Sequence, residues 1–302
     1  MVKHMRRSTK QKLMGLLFLV PGLLFLGVFL IYPVINSVVM SFTNWNGFNN
    51  DFSFIGLDNY INLFTNNKEY WNGMKIVLFF AFVSTAIQTV LGFLLAFLVY
   101  HMSAKWQNFY KVALYLPVIL PAAVVAVMWR FMLAADAGMI NELLQAVGLD
   151  SLTHSWLGDK NTAIWAVIMV NTWQYVGFTM VLYYINMQNI SKDILESAEI
   201  DGANKWDKLR CFFLPLTMGT TETNVIYSIT GGMKSFALFY MLTGGGPGTA
   251  TRVVALVIYN TAFVDYKFAR ALAMSTVLFV IILVLTLLAR TIAGRFNYEN
   301  QQ

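Results

Sequence analysis

Long apolar runs separated by short clusters of charge dominate this chain. A helix needs about 20 apolar residues to cross a bilayer core. Five runs reach that length: Leu13 to Met40, Ile76 to Tyr100, Val112 to Leu133, Ala163 to Met187 and Ala271 to Ala289. A sixth, Gly219 to Leu242, is less apolar, because it contains Glu222, Lys234 and many small polar residues. Val254 to Val264 is too short to cross alone and reads as an interfacial helix. Pro21, Pro33, Pro117 and Pro121 fall inside spans, where a kink is tolerated if neighbours satisfy the freed carbonyls. The pattern predicts an all-α polytopic membrane protein. Its organisation would be a basic tail (1–12), a six-helix domain (13–294) and a second tail (295–302).

Charge separates six spans from five. With six, both ends lie on the same side as the loops 101–111 and 187–218, and that side carries thirteen Lys and Arg against seven opposite. The richer side of short loops is cytoplasmic. Dropping the sixth span would send the basic C-terminal end outside, so six spans with both termini inside is the expectation. Lys3, Arg6, Arg7, Lys10 and Lys12 before an apolar run resemble a signal peptide, but the run continues well past the length of a cleaved segment and is expected to stay as a first span.

Composition agrees with this picture and narrows the chemistry. Hydrophobic residues make up 58% and charged residues 12% of 302 positions, about half the charge a soluble domain carries. The net charge of +6 sits in membrane-flanking clusters, with no base-reading motif, so no nucleic-acid partner is expected. Cys211 is the sole cysteine, and His4, His101 and His154 lie far apart, which leaves no metal-ligand spacing.

The segment from Ser191 to Pro215 carries the functional information. Asp193 and Glu196 have the spacing of a capping box, so a short helix should start there, with Ile194, Leu195, Ala198 and Ile200 as its apolar face. Gly202 can take the positive φ that ends a helix and turns the chain. Trp206, Leu209, Phe212 and Phe213 follow at helical spacing before Leu214-Pro215 re-enters the membrane. A helix resting on lipid headgroups would bring Asp193, Glu196, Glu199, Asp201 and Asp207 against anionic lipid, so a bent pair of helices that docks into a protein groove fits better.

These residues resemble the EAA motif of binding-protein-dependent ABC importer permeases: Glu196-Ser197-Ala198, three residues, Gly202, nine residues, then Phe212, one residue and Leu214-Pro215. Ser197 stands where the motif has Ala and Phe212 where it has Ile. Thr243-Gly-Gly-Gly-Pro247-Gly, Trp173-Gln-Tyr-Val-Gly-Phe178, Leu116-Pro117-Val-Ile-Leu-Pro121, Trp129-Arg130 and Gly56-Leu-Asp-Asn-Tyr60 are similar to the carbohydrate branch. The resemblance implies a type I importer permease in the cytoplasmic membrane of a bacterium or archaeon. Glu196, Ser197, Ala198, Asp201, Gly202, Leu214 and Pro215 would form the loop that couples to an ATPase. The implied partners are an ABC ATPase dimer, a second homologous permease, an extracytoplasmic solute-binding protein and membrane lipid. The chain has no Gly-x-x-x-x-Gly-Lys-Ser/Thr loop, so ATP and Mg belong to the partner, this chain binds no cofactor, and it is not an enzyme.

Polar groups in hydrocarbon face protein or water, so the fourth and fifth spans should line a passage. Sugars offer hydroxyls for hydrogen bonds and C–H faces for stacking, which makes Trp173, Gln174, Tyr175, Tyr227, Lys234 and Ser235 the candidate contacts. Each aromatic fits bundle packing or an interfacial belt equally well. Lys234 fits a snorkelling or subunit-pairing role better than contact with an acidic sugar or phosphate, and Glu222 fits a place near the cytoplasmic interface. An ion-coupled transporter would show paired intramembrane carboxylates, and a membrane enzyme a nucleophile–base set; neither pattern is visible. A permease for a glycerol phosphodiester or phosphate ester stays open, because the loop motif reports coupling and not cargo.

The charge distribution makes Cys211 a topological reporter. An impermeant maleimide should label it in inside-out vesicles and leave it unlabelled in intact cells; labelling from outside would invert the predicted orientation.

Overall fold

A computed structural model describes residues 2–49 and 51–294. Met1, Asn50 and the tail 295–302, Arg295 included, lie outside the described residues, as do the side chains of residues 2–10, 12, 13 and 292–294. The helices, in chain order, are α1 (Val2–Leu26), α2 (Tyr32–Met40), α3 (Asp58–Thr65), α4 (Lys68–Tyr100), α5 (Ala104–Ile119), α6 (Ala122–Met132), α7 (Met139–Ala146), α8 (Ala163–Gln188), α9 (Lys192–Ile200), α10 (Lys205–Lys208), α11 (Leu214–Leu216), α12 (Met218–Met233), α13 (Ala237–Leu242), α14 (Val254–Tyr259) and α15 (Phe268–Gly294). The described residues contain no β-sheet, only one bridge between Thr43 and Phe54.

Among the described residues, four helical segments are long and apolar enough to cross a membrane: Met14–Met40, Lys68–Tyr100, Ala163–Gln188 and Phe268–Thr291. The run expected from Val112 to Leu133 is not straight. It consists of α5 and α6, bent by 98°, and counts as a fifth span only if the pair is taken together. The bend falls at Leu120-Pro121, where the proline forces its predecessor out of the helical region; Leu120 has ψ 136°. The expected sixth span, Gly219 to Leu242, is two helices with a break at Lys234–Phe236, so it does not pass as one crossing helix. Val254–Val264 is a short apolar helix, as its length predicted.

Two π-helical turns share one cause. Gly27–Ile31 precedes Tyr32-Pro33, and Leu209–Phe213 precedes Leu214-Pro215. A proline ring clashes with the carbonyl four residues back and leaves it without a donor. Widening the preceding turn shifts the bonds by one residue: the Tyr32 N–H reaches the Gly27 carbonyl and the Leu214 N–H reaches the Leu209 carbonyl.

The chain divides into two compact units. Within the first, Met1–Asn67 with Ile258–Leu278, the Trp45–Asn49 loop is built on aromatic contacts. Trp45 and Phe48 pack on Phe268 with centroids 5.8 and 5.7 Å apart, and the Ala269 N–H donates to the Trp45 carbonyl (2.9 Å). Asn59 is buried and donates to the carbonyls of Ser41 and Thr43, both at 2.8 Å, which closes the loop that follows α2.

In the second unit, Lys68–Val257 with Phe279–Gln302, α4 and α8 pack side by side and run in the same direction. Contacts climb in step from Phe79–Trp165 through Gln88–Asn171 to Phe93–Tyr183. Glycine permits the close approaches: a Cβ on Gly92 would meet the Thr179 side chain, and one on Gly177 would meet the Leu114 carbonyl of α5. Gly177 faces backbone that cannot step aside. Gly177→Val should therefore destabilise the fold by at least about 1–3 kcal/mol, the usual cost of overpacking. Gly231→Ala should melt like the wild type in the same detergent assay, since nothing lies within 4 Å of a Cβ there.

Candidate functional site

Two features of the second unit carry candidate function, a cavity between helices and the bent loop after α8. The cavity is about 410 Å³ and draws its walls from α4, α8, α12 and the α12–α13 break. Tyr175, Tyr227, Lys234 and Ser235 line it, joined by Gln88 and Asn171. Four of the six membrane residues singled out from sequence thus converge. Trp173 and Gln174 are placed elsewhere: Trp173 packs edge-on against Trp129 at 5.5 Å, and buried Gln174 donates to the Leu120 carbonyl at the α5–α6 bend (3.0 Å).

The polar residues of α12 divide between two jobs. Asn224 accepts from the Thr179 hydroxyl (2.9 Å) and donates to Thr89 (2.8 Å), so one amide ties α12 to both α8 and α4. Thr221 bonds the Tyr183 hydroxyl (2.7 Å). These groups are used in holding helices together, where an unsatisfied polar atom would be costly. The C-terminal half of α12 faces the cavity instead, through Tyr227, Ser228 and Gly231. The Tyr227 ring lies 4.9 Å from that of Phe178. Lys234 caps the end of α12 and is the one charged residue in the lining; among the described residues no carboxylate lies within ion-pair distance of it.

Gln88 was not singled out from sequence. Its signal was present, since it stands with Ser84, Thr85 and Thr89 as a polar stripe at helical spacing in an otherwise apolar run. Its amide donates to Asn171 Oδ1 at 2.7 Å, which presents both groups to the cavity.

The loop is two short helices joined at Gly202, as expected, with φ +85° there. Its start differs from expectation. The cap of α9 is Ser191, whose hydroxyl accepts from the Asp193 N–H (3.3 Å), so Asp193 lies inside the first turn and forms no capping box with Glu196. The reciprocal box is one helix later: Asn204 accepts from the Asp207 N–H (3.1 Å) and the Asp207 carboxylate accepts from the Asn204 N–H (3.0 Å). Ser wins over Asp at the first position because it alone precedes the helix with extended backbone (ψ 132°), the geometry a cap requires.

Burial sorts the loop into root and tip. Leu209 and Phe213 are buried with Phe93, Ala96, Val99, Met180, Tyr183, Tyr184 and Met187, anchoring the loop to the ends of α4 and α8. Ala198 is buried, Leu195 is half-buried, and Ile194 and Ile200 are exposed, so only half of the expected apolar face points inward. Glu196, Ser197, Asp201 and Gly202 are exposed, Leu214 is exposed and Pro215 half-buried at the membrane re-entry. Trp206 is 66% exposed. Lys208 bonds Glu199 across the turn, and that bond holds the Glu199 carboxyl below its ordinary pKa.

Helices long and apolar enough to cross a membrane, an inter-helix cavity and a bent loop rooted on two of those helices are the parts of a membrane permease. The chain belongs to the family of binding-protein-dependent transport system inner membrane components, which matches residues 88–298. It is 35% identical over 280 residues to the probable ABC transporter permease protein YurN of Bacillus subtilis, covering 92% of this chain and 95% of that one. It is 32% identical over 272 residues to the probable starch degradation products transport system permease protein AmyD of Thermoanaerobacterium thermosulfurigenes, covering 90% and 91%. Its fold matches a chain in the crystal structure of a bacterial ABC transporter that imports the acidic polysaccharide alginate, with a TM-score of 0.83 at 22% identity over 97% and 99% of the two chains. This chain is thus an ABC importer permease, a transport subunit and not an enzyme.

The cavity and the helix contacts around it respond differently to substitution. A Cβ on Gly231 would meet nothing within 4 Å, so Gly231→Leu should extend into the cavity that this residue lines, and Tyr227→Ala would remove a stacking surface worth about 0.5–1.5 kcal/mol. Both variants should assemble and melt normally yet lose transport in proteoliposomes. Gln174→Ala should act first on stability, because it frees the Leu120 carbonyl. Normal transport by Gly231→Leu would place the path elsewhere.

Proposed function

We propose that this chain forms, with a second homologous permease, the membrane path for a sugar or oligosaccharide delivered by an extracytoplasmic binding protein. The observation that carries this reading is the cavity lined by Tyr175, Tyr227, Ser228 and Ser235. Aromatic faces beside hydroxyl and amide groups suit the alternating C–H faces and hydroxyls of a saccharide. The relatives add support: their names include starch degradation products, diacetylchitobiose and trehalose/maltose transport. A phosphate ester or glycerol phosphodiester is the second reading, favoured by Lys234 alone, the cavity's one cation. Calorimetry on the cognate binding protein separates the two, since a preference for neutral sugars removes the second and a preference for phosphate esters removes the first.

In this reading the bent loop is the site where a cytoplasmic ATPase dimer docks, and ATP and Mg are used there. Domain 13–294 spans the cytoplasmic membrane with both tails inside, and the loop 191–215 projects on the same side. Exposed Glu196 on α9 and Asp201 at its end would meet basic residues of the partner, and exposed Trp206 would supply an aromatic anchor. Gly202 holds a conformation that β-branched side chains avoid. Gly202→Val would re-aim α9, and Glu196→Lys would set like charges together.

Both changes lie far from the cavity, so solute affinity of the binding protein is expected to stay at the wild-type value. Transport and solute-stimulated ATP hydrolysis should fall together in the reconstituted complex, with a pull-down reporting docking. Wild-type docking and stimulation in both variants would refute the coupling role of the loop.

A further inference from the structure

Lys208 is an unusual lysine. Its side chain is only 11% exposed, whereas the Glu199 carboxylate that it meets is 64% exposed. An ammonium withdrawn from water is costly unless it is paired, so the sequence retains a buried charge where an apolar residue would pack. The location gives a reason. Glu199 is on α9, Lys208 ends α10, and Gly202 turns the chain between them.

Backbone bonds close the end of α9, from the Gly202 N–H to the Glu199 carbonyl (3.0 Å) and from the Ala203 N–H to the Ala198 carbonyl (2.9 Å). The Asn204–Asp207 box fixes only the start of α10. Neither sets the angle between the two helices. Packing holds α9 through buried Ala198 and half-buried Leu195, which lies against the core, but a Cβ at Gly202 would meet nothing within 4 Å, so the apex of the turn is unbraced. The Glu199–Lys208 bond does span it, and the residue after Lys208 is Leu209, which with Phe213 is buried against α4 and α8.

We propose that Glu199 and Lys208 are a positioning pair that locks α9 onto the α10–Leu209–Phe213 rod, so that displacement of α9 is delivered to α4 and α8 instead of being absorbed at Gly202. This rests on the coupling-loop reading above. A flexible turn would still let α9 bind a partner, but a push on it would bend the loop first. A bridged turn moves as one body, and its root moves with it. The pair therefore acts on the efficiency of coupling and not on docking.

The test uses the complete reconstituted complex with its binding protein. Lys208→Met and Glu199→Gln should retain the ATPase in pull-downs and lower solute transported per ATP hydrolysed by about fivefold, near the low end of coupling factors between sites. Lys208→Arg, which keeps the charge and the reach, should restore the ratio. Glu199→Cys with Lys208→Cys in a Cys211→Ser background should be uncoupled when reduced and recover when a short bifunctional maleimide ties the two positions. That recovery separates positioning from general stability, because a misfolded loop would not be rescued.

A wild-type ratio in both single variants, or no recovery on crosslinking, would overturn the proposal. Loss of ATPase binding in both single variants would also overturn it, by making the pair part of the docking surface. If Gly202→Val and Glu196→Lys behave as expected while Lys208→Met stays fully coupled, the positioning pair fails and the coupling loop stands.

Discussion

Gly92 and Gly177 lack side chains on two faces of the same structural spine, and the consequence reaches both functional features. α4 approaches α8 closely enough at Gly92 for a methyl group to collide with Thr179, and α5 approaches α8 as closely at Gly177. In lipid there is no hydrophobic force between helices, so close approach and buried hydrogen bonds must hold the bundle. The Gln88–Asn171 and Thr179–Asn224–Thr89 bonds sit along that spine. At the level of the Gln88–Asn171 bond the cavity lies beside the spine. At its end, Val99, Tyr184 and Met187 form the socket for Leu209 and Phe213. Cavity and loop are therefore two parts of one packed unit.

The aromatic and polar side chains at that end reinforce the socket. Phe213 meets Phe97 and Tyr100 edge-on, with centroids 5.4 and 5.2 Å apart. Tyr184 donates to Gln107 (2.8 Å) and accepts from Gln188 (2.7 Å), while the Lys111 ammonium lies 4.7 Å from its ring. The turn between α4 and α5 is thus fastened to the last turn of α8, immediately above the loop. Gly202 is the compliant point, which is why a bridge across it changes the mechanics of the whole loop.

What was legible in the sequence follows from what each pattern physically encodes. Uninterrupted apolar runs placed α8 and α15 to within a few residues, and the end of α4 at Tyr100, because nothing competes with a helix in hydrocarbon. Gly202 was legible because only a positive-φ residue serves there. The bend at Leu120-Pro121 was harder: hydropathy counts residues and is blind to direction, so an apolar stretch broken by 98° reads like a straight span. The break at Lys234–Phe236 was missed for the same reason, although small and polar residues flanked it. Asp193 and Glu196 had the spacing of a cap, yet Ser191 had the backbone, and spacing alone cannot report ψ.

Side-chain partnerships were the least legible. Trp173 and Gln174 carry the chemistry a sugar site uses, but adjacent residues on a helix point about 100° apart, and those two directions lead to α6 and to the α5–α6 bend, not to the cavity. Tyr175 alone of that trio reaches it. Along α12 the deciding coordinate is height: Thr220 and Asn224 are buried among helices, while Tyr227 and Gly231, three and seven positions beyond Asn224 on nearly the same face, open on the cavity. A polar residue in a membrane helix announces that it avoids lipid, and composition goes no further. Which of the two shelters it uses, a neighbouring helix or a cavity, is decided by its angle around the axis and its height along it, relative to neighbours that come from distant parts of the chain.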